Sequence, residues 1–175
     1  MKNKISNSRT VFCSLLVFAL NCSHAANWPA WRGADGSGLT TEKDLPIQWS
    51  ATENVRWKVA LPERGNSTPI VWNQKVFITQ AVQNRRTLIC FDRASGKQLW
   101  QAGPAYEEKE TSHLTNPYCS ASPVCDGERV IAWFGSAGIY CYDLEGKELW
   151  HRDLGKQDIG GVTPRRPFST KICVS

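Results

Sequence analysis

Cys90-Phe91-Asp92-Arg93-Ala94-Ser95-Gly96-Lys97-Gln98-Leu99-Trp100 and Cys141-Tyr142-Asp143-Leu144-Glu145-Gly146-Lys147-Glu148-Leu149-Trp150 are one phrase written twice. The cysteine, the aromatic and the aspartate return after 51 residues, and Gly-Lys and Leu-Trp after 50. A period near fifty, built from short strands and a tight turn, is that of a β-propeller blade. The expected fold class is therefore all-β: an incomplete β-propeller, about two four-stranded blades plus an extra strand.

Working outward from the phrase, each copy is preceded by the other strands of its blade. In the first unit, alternation and turn residues predict strands over Pro69–Trp72, Lys75–Gln80, Thr87–Asp92 and Gln98–Gln101, with Trp72-Asn73-Gln74 as the first turn. The second unit repeats the plan with Ser122-Pro123-Val124, Arg129–Phe134, Ile139–Asp143 and Glu148–Arg152, turning at Asp126-Gly127 and Leu144-Glu145-Gly146. Val55–Leu61 alternates like a half-buried strand, and its Trp57-to-Leu61 spacing returns in Trp150-to-Leu154. It reads as the outer strand of a blade whose other strands come from elsewhere.

The repeated residues have physical work to do in such a blade. The aspartate ends the third strand, where its carboxylate can accept turn amides. The glycine supplies the positive φ of a tight hairpin. The tryptophan stands on the outer strand and can lie across the next blade. Burying one indole removes about 150–250 Å² from water, roughly 4–6 kcal/mol as a gross upper figure. Pro69, Asp92, Gly96 and Trp100, with Pro123, Asp143, Gly146 and Trp150, are accordingly assigned to structure. No residue is assigned to catalysis, to a cofactor or to a metal.

The ends of the chain read differently from its middle. Lys2, Lys4 and Arg9 precede an apolar run from Val11 to Leu20 and then Ser23-His24-Ala25, the pattern of a cleaved export signal over residues 1–25. The run is too short for a permanent membrane span, so no transmembrane segment is expected after cleavage. Cys22 suggests a lipoprotein, but Asn21 stands where a small residue should precede a lipidated cysteine, so periplasmic or secreted release is preferred. Three basic residues lie in 1–25 and three more, Arg165, Arg166 and Lys171, in 159–175, so the net charge of +5 resides in the ends. The blades carry no basic excess to support nucleic-acid binding.

An exported chain may form disulfides. Cys90, Cys119, Cys125, Cys141 and Cys173 are odd in number, so at least one is unpaired within the chain. The equivalent positions of Cys90 and Cys141 predict buried strand residues in different blades, not a bridge. There is no Cys-x-x-Cys-His haem-attachment motif.

Two irregular stretches are candidates for function. Asn27 to Gly38 carries Gly33, Gly36 and Gly38 alongside Trp28 and Trp31 but no Gly-Lys-Ser/Thr, so it reads as an irregular segment pinned by two tryptophans. Pro104 to Tyr118 is an insertion between the units carrying Glu107, Glu108, Glu110 and His113. With no second histidine at ligand spacing, it is expected to be a solvated acidic loop. Asn116-Pro117-Tyr118-Cys119-Ser120 leads directly into the second blade and could line a central channel.

Asp-x-x-x-Gly-Lys-x-Leu-Trp, with Ser/Thr-Pro-Val/Ile opening each blade, resembles the pyrroloquinoline-quinone (PQQ)-like propeller repeat. Trp28-Pro29-Ala30-Trp31-Arg32-Gly33 is similar to the amino end of exported bacterial proteins of that type. The resemblance spans roughly residues 27 to 158 and implies partial propeller repeats over 26–158. It encompasses quinone-dependent alcohol and glucose dehydrogenases and also a non-enzymatic lipoprotein of the outer-membrane barrel-assembly machinery. The dehydrogenases pair PQQ and calcium with vicinal cysteines and an aspartate base; this chain has no adjacent cysteines, and no aspartate maps to that base.

Residues 159–175 carry no trace of a third blade, and Ile159-Gly160-Gly161-Val162-Thr163-Pro164-Arg165-Arg166-Pro167-Phe168 clusters basic residues with proline. A permitted back-translation of Val162 to Cys173, shifted by one base, reads Gly-Asn-Ala-Ala-Ser-Pro-Val-Leu-Tyr-Lys-Asp-Leu, a blade opening. The tail is therefore expected to be a frameshift product and the propeller truncated, which would leave the chain marginally stable. The expected function is a non-catalytic binding or scaffold module for protein or cell-envelope partners, with no confident cofactor. The alternative is a fragment of a PQQ-dependent alcohol or sugar dehydrogenase, the only case in which PQQ and calcium are implied. A third reading is carbohydrate binding through exposed tryptophans such as Trp31 or Trp72.

Overall fold

The computed structural model describes residues 26–43, 45–108, 110 and 115–157. The expected export signal, the off-pattern tail and His113 lie outside the described residues. Two four-stranded antiparallel sheets make up the fold, each a meander. The first contains β1 (Ile70–Trp72), β2 (Lys75–Val82), β3 (Arg85–Asp92) and β4 (Gln98–Ala102). The second contains β5 (Val124–Cys125), β6 (Arg129–Trp133), β7 (Ile139–Asp143) and β8 (Glu148–Arg152), with a single 3₁₀ turn at Gly135–Ala137. These are the two expected blades of an incomplete propeller.

Register sorts the side chains onto two faces. Ile70, Phe77, Cys90 and Trp100 form one row across the first blade, and Val71, Val76 and Phe91 form the row on its other face. The equivalent rows of the second blade are Val124, Ile131, Cys141 and Trp150, and Cys125, Val130 and Tyr142. The first row of blade one packs against the second row of blade two in a single apolar cluster that also takes in Leu88, Ala132 and Phe134. The second row of blade one is a separate cluster covered by Trp28 and Trp57. On the first-row face of blade two, Val124, Trp133 and Trp150 remain 44%, 45% and 38% exposed.

The Leu-Trp pair of the repeat has a geometric cause. In β3–β4 the register slips between Cys90 and Phe91, so that Cys90 opposes Trp100 while Phe91 opposes Gln98. The same slip in β7–β8 pairs Cys141 with Trp150 and Tyr142 with Glu148. Leu99 and Leu149 are thus the extra residues of two equivalent β-bulges, and each bulge returns its tryptophan to the first-row face.

Trp100 then reaches across the blade boundary. Its Nε1 donates to the Leu144 carbonyl at 3.0 Å, and its ring lies over Gly146, where an added Cβ would stand 2.6 Å from the indole. Trp57 repeats this on blade one, donating to the Arg93 carbonyl at 2.8 Å and lying over Gly96. The segment around Trp57 is not paired into either sheet. The expected extra strand is therefore seen only through its tryptophan. Lys75 adds a second tie, its Nζ reaching the Leu144 carbonyl at 2.7 Å and Glu145 at 2.6 Å.

Gly146 is left-handed as well as crowded, with φ +87. Gly146→Ala is expected to cost about 2–3 kcal/mol, part backbone strain and part displacement of the indole. Urea unfolding monitored by circular dichroism checks it; Gly155→Ala, also at positive φ but with open space around the added Cβ, serves as the control for backbone strain alone.

The amino segment is less irregular than the sequence suggests. Trp28 exchanges two backbone hydrogen bonds with Val71, at 2.8 and 2.9 Å, and the Pro29 carbonyl accepts from Cys125 N at 2.9 Å. Residues 28–29 therefore clasp the free edges of β1 and β5, the first strand of each blade. Only one of the two tryptophans pins the segment: Trp28 packs on blade one, while Trp31 is 43% exposed.

Candidate functional site

Asp92 and Asp143 close the β3–β4 and β7–β8 hairpins. Asp92 Oδ1 accepts from Ser95 N at 2.8 Å and Ser95 Oγ at 2.5 Å, and its amide donates to the Lys97 carbonyl. Asp143 Oδ1 accepts from Glu145 N at 3.0 Å and Lys147 N at 2.9 Å. Asp126 does the same for the β5–β6 turn, accepting from Glu128 N and Arg129 N. The serine hydroxyl and amide hold the Asp92 carboxyl below the usual aspartate range, and backbone amides do so for Asp126. Both turns are thus whole at neutral pH, and the carboxylate's contribution is lost as the pH falls through and below that range. Pro69 and Pro123 stand immediately before β1 and β5, with Pro123 fully buried. Trp72, considered above for carbohydrate, instead lies over Gly127, where an added Cβ would be 2.5 Å from its ring.

At the opposite end of the blades the insertion after β4 builds a cleft. Sequence reading stopped β2 at Gln80 and began β3 at Thr87, but the hairpin continues to Val82 and resumes at Arg85. The extension places Arg86 inside, only 3% exposed. Its guanidinium lies over the Tyr118 ring at 4.0 Å and the Tyr106 ring at 5.2 Å. Its Nη2 is 3.3 Å from Glu110 Oε2, with side chains 4% and 15% exposed. Glu110 Oε1 also accepts from Ser136 N at 3.0 Å, so one carboxylate joins the blade-one arginine to the β6–β7 connection of blade two.

This corrects the expectation of a uniformly solvated acidic loop. Glu107 and Glu108 are exposed, but Glu110 is an interior ion-pair partner. Tyr118 is also drawn inward, its hydroxyl donating to the Glu110 carbonyl at 2.7 Å. Cys119 and Ala121 turn their carbonyls to Thr79 Oγ1, at 2.9 and 2.6 Å, packing this stretch against blade one. The cleft left above Arg86 is about 390 Å³, walled by the two tyrosines, Glu107 and Glu108, and the Gln83-Asn84 turn. Asn84 Nδ2 donates to Glu107 Oε1 at 3.0 Å, and Arg86 Nε is buried with no hydrogen-bond partner.

Cys90, Cys119, Cys125 and Cys141 are buried free thiols. Burial pushes Cys90 up to about 12 and Cys119 up to about 11, and raises Cys125 and Cys141. Because the thiolate is the nucleophile, none of the four is expected to react with an aromatic disulfide reagent at pH 8 until urea unfolds the chain. Mass spectrometry of the labelled peptides, which separates Cys173 from these four, checks the result.

Among the described residues, no three His, Cys, Asp or Glu side chains are grouped so as to hold a metal ion, and no two cysteines of the sequence are adjacent. No helix among them is long and apolar enough to cross a membrane.

No curated protein matches the chain. The family model described as outer membrane protein assembly factor BamB matches residues 30–165, which takes in both blades and their docking tryptophans. With its repeated hairpins, bulges and blade-to-blade indoles accounted for, the chain belongs to this family of PQQ-like repeat β-propeller proteins.

Proposed function

We propose that this is an exported, non-catalytic propeller module that presents a surface to protein partners in the bacterial cell envelope. The observation that carries the reading is how the repeat uses its chemical groups. Asp92, Asp126 and Asp143 are spent on turn amides, the four described thiols are buried, and Glu110 is tied to Arg86 and Ser136. What the blades leave available is surface and the cleft beside the insertion. The family's description as an outer-membrane assembly factor supports an envelope setting and a protein partner.

The test is fractionation of a Gram-negative host expressing residues 1–175, followed by crosslinking. The chain should be recovered from the periplasm beginning at Ala26 and should crosslink to envelope proteins. Retention in the cytoplasm with residues 1–25 intact would overturn the export claim. Saturable quenching of tryptophan fluorescence by PQQ in the presence of calcium would overturn the non-catalytic one.

A further inference from the structure

We infer that the cleft over Arg86 is the docking site for an extended segment of a partner protein that carries a lysine or arginine side chain. This rests on the partner-binding reading above and names the chemistry of the partner.

Three features of the cleft converge on that ligand. The first is charge. Glu107 and Glu108 stand exposed at the rim, and neither enters an ion pair among the described residues. Among the described residues that line it, Arg86 is the one cation, and it is already paired with Glu110. The described lining is therefore negative, repelling an anionic ligand and favouring a cation.

The second is an unmet donor. Arg86 is 3% exposed, forms part of the cleft wall, and keeps a buried Nε without a partner. A buried donor left unpaired is costly, and with the guanidinium charge already balanced, a neutral acceptor is enough to satisfy it. A peptide carbonyl is such an acceptor.

The third is the aromatic wall. Tyr106 and Tyr118 each give a face to Arg86 and are only half-buried, so they also offer ring surface to the stem and charge of an incoming basic side chain. Asn84 holds the Glu107 carboxylate in place by its 3.0 Å hydrogen bond. At about 390 Å³ the cleft has room for one long side chain and its backbone, within the ~300–1,000 Å³ of small-ligand sites.

The probe is a fluorescein-labelled Gly-Ser-Gly-Arg-Gly-Ser-Gly amide, titrated with the purified mature chain and followed by anisotropy. Saturable binding that weakens with added salt is expected. Glutamine in place of the arginine of the probe should weaken it about tenfold, as should the Glu107→Gln/Glu108→Gln variant. Both positions are exposed, so circular dichroism of that variant should be unchanged. Tyr106→Ala should weaken binding about fivefold.

Equal affinity for the glutamine probe, unchanged affinity in the double variant, or no saturation as the protein approaches millimolar concentration would each overturn the assignment. So would displacement of the probe by maltose, which would make the cleft a glycan site. Envelope crosslinking that persists undiminished in Glu107→Gln/Glu108→Gln would reject this cleft while leaving the broader partner-binding reading intact.

Discussion

Replacing Trp100 by alanine lowers the free energy of unfolding by about 3–5 kcal/mol, in the range of a large aromatic removed from a packed site. The same change at Trp150 costs under about 1 kcal/mol, as for a surface position. The two residues occupy the same place in the repeat and follow the same bulge, so propensity and strand geometry cancel in the comparison. They differ in what lies beyond them. Trp100 touches Phe77 at 5.8 Å between ring centroids, covers Gly146 and donates to the Leu144 carbonyl. Trp150 is 38% exposed, and no hydrogen bond of its indole is found among the described residues. Urea unfolding of both variants at unchanged m-value gives the difference directly. Equal losses at the two positions would mean that the tryptophan matters within its own blade and that docking across the boundary contributes little.

That comparison also shows what a period of fifty can and cannot carry. The repeated phrase fixes the hairpin, its turn and the outer tryptophan, because each is a local event: an aspartate bonding amides two to four residues on, a glycine with positive φ, and a bulge one residue before the indole. Trp57 was legible in part. Its spacing pointed to an outer strand, yet it joins neither sheet and keeps only the long-range half of the pattern, the dock on Gly96. Arg86 was not legible at all. Arg85-Arg86 beside Gln83-Asn84 reads as a polar turn, and a lone arginine in a strand gives no local sign that it points inward. What makes its burial tolerable is supplied from 24 residues away by Glu110 and by the rings of Tyr106 and Tyr118. Glu110 was hidden for the complementary reason. In a run with Glu107 and Glu108 its charge looks solvated, and only the fold sets it apart.

The interior pair therefore makes the sharpest demand on the structure. Glu110→Gln is expected to destabilise the chain by about 3–5 kcal/mol, although it changes the side chain's volume very little. The amide oxygen of glutamine can still accept from Ser136 N, so the link to blade two survives in form. What disappears is the negative charge opposite a guanidinium that is 3% exposed and whose Nε already lacks a partner. Two tyrosine faces offer a cation less than the carboxylate did, and the unpaired charge must be carried in the interior or expelled with local unfolding. A purely steric role for Glu110 predicts almost no loss. The companion variant, Arg86→Met/Glu110→Leu, removes both charges and is expected to recover most of the stability lost in Glu110→Gln, since apolar replacement of a buried pair is often neutral or better. Urea midpoints of the two variants, compared with the parent, decide the matter. A Glu110→Gln loss below about 1 kcal/mol would place the pair among exposed ion pairs of little energetic weight. A double variant no more stable than the single one would show instead that the pair's hydrogen bonds, and not the balance of its charges, hold the insertion against blade two.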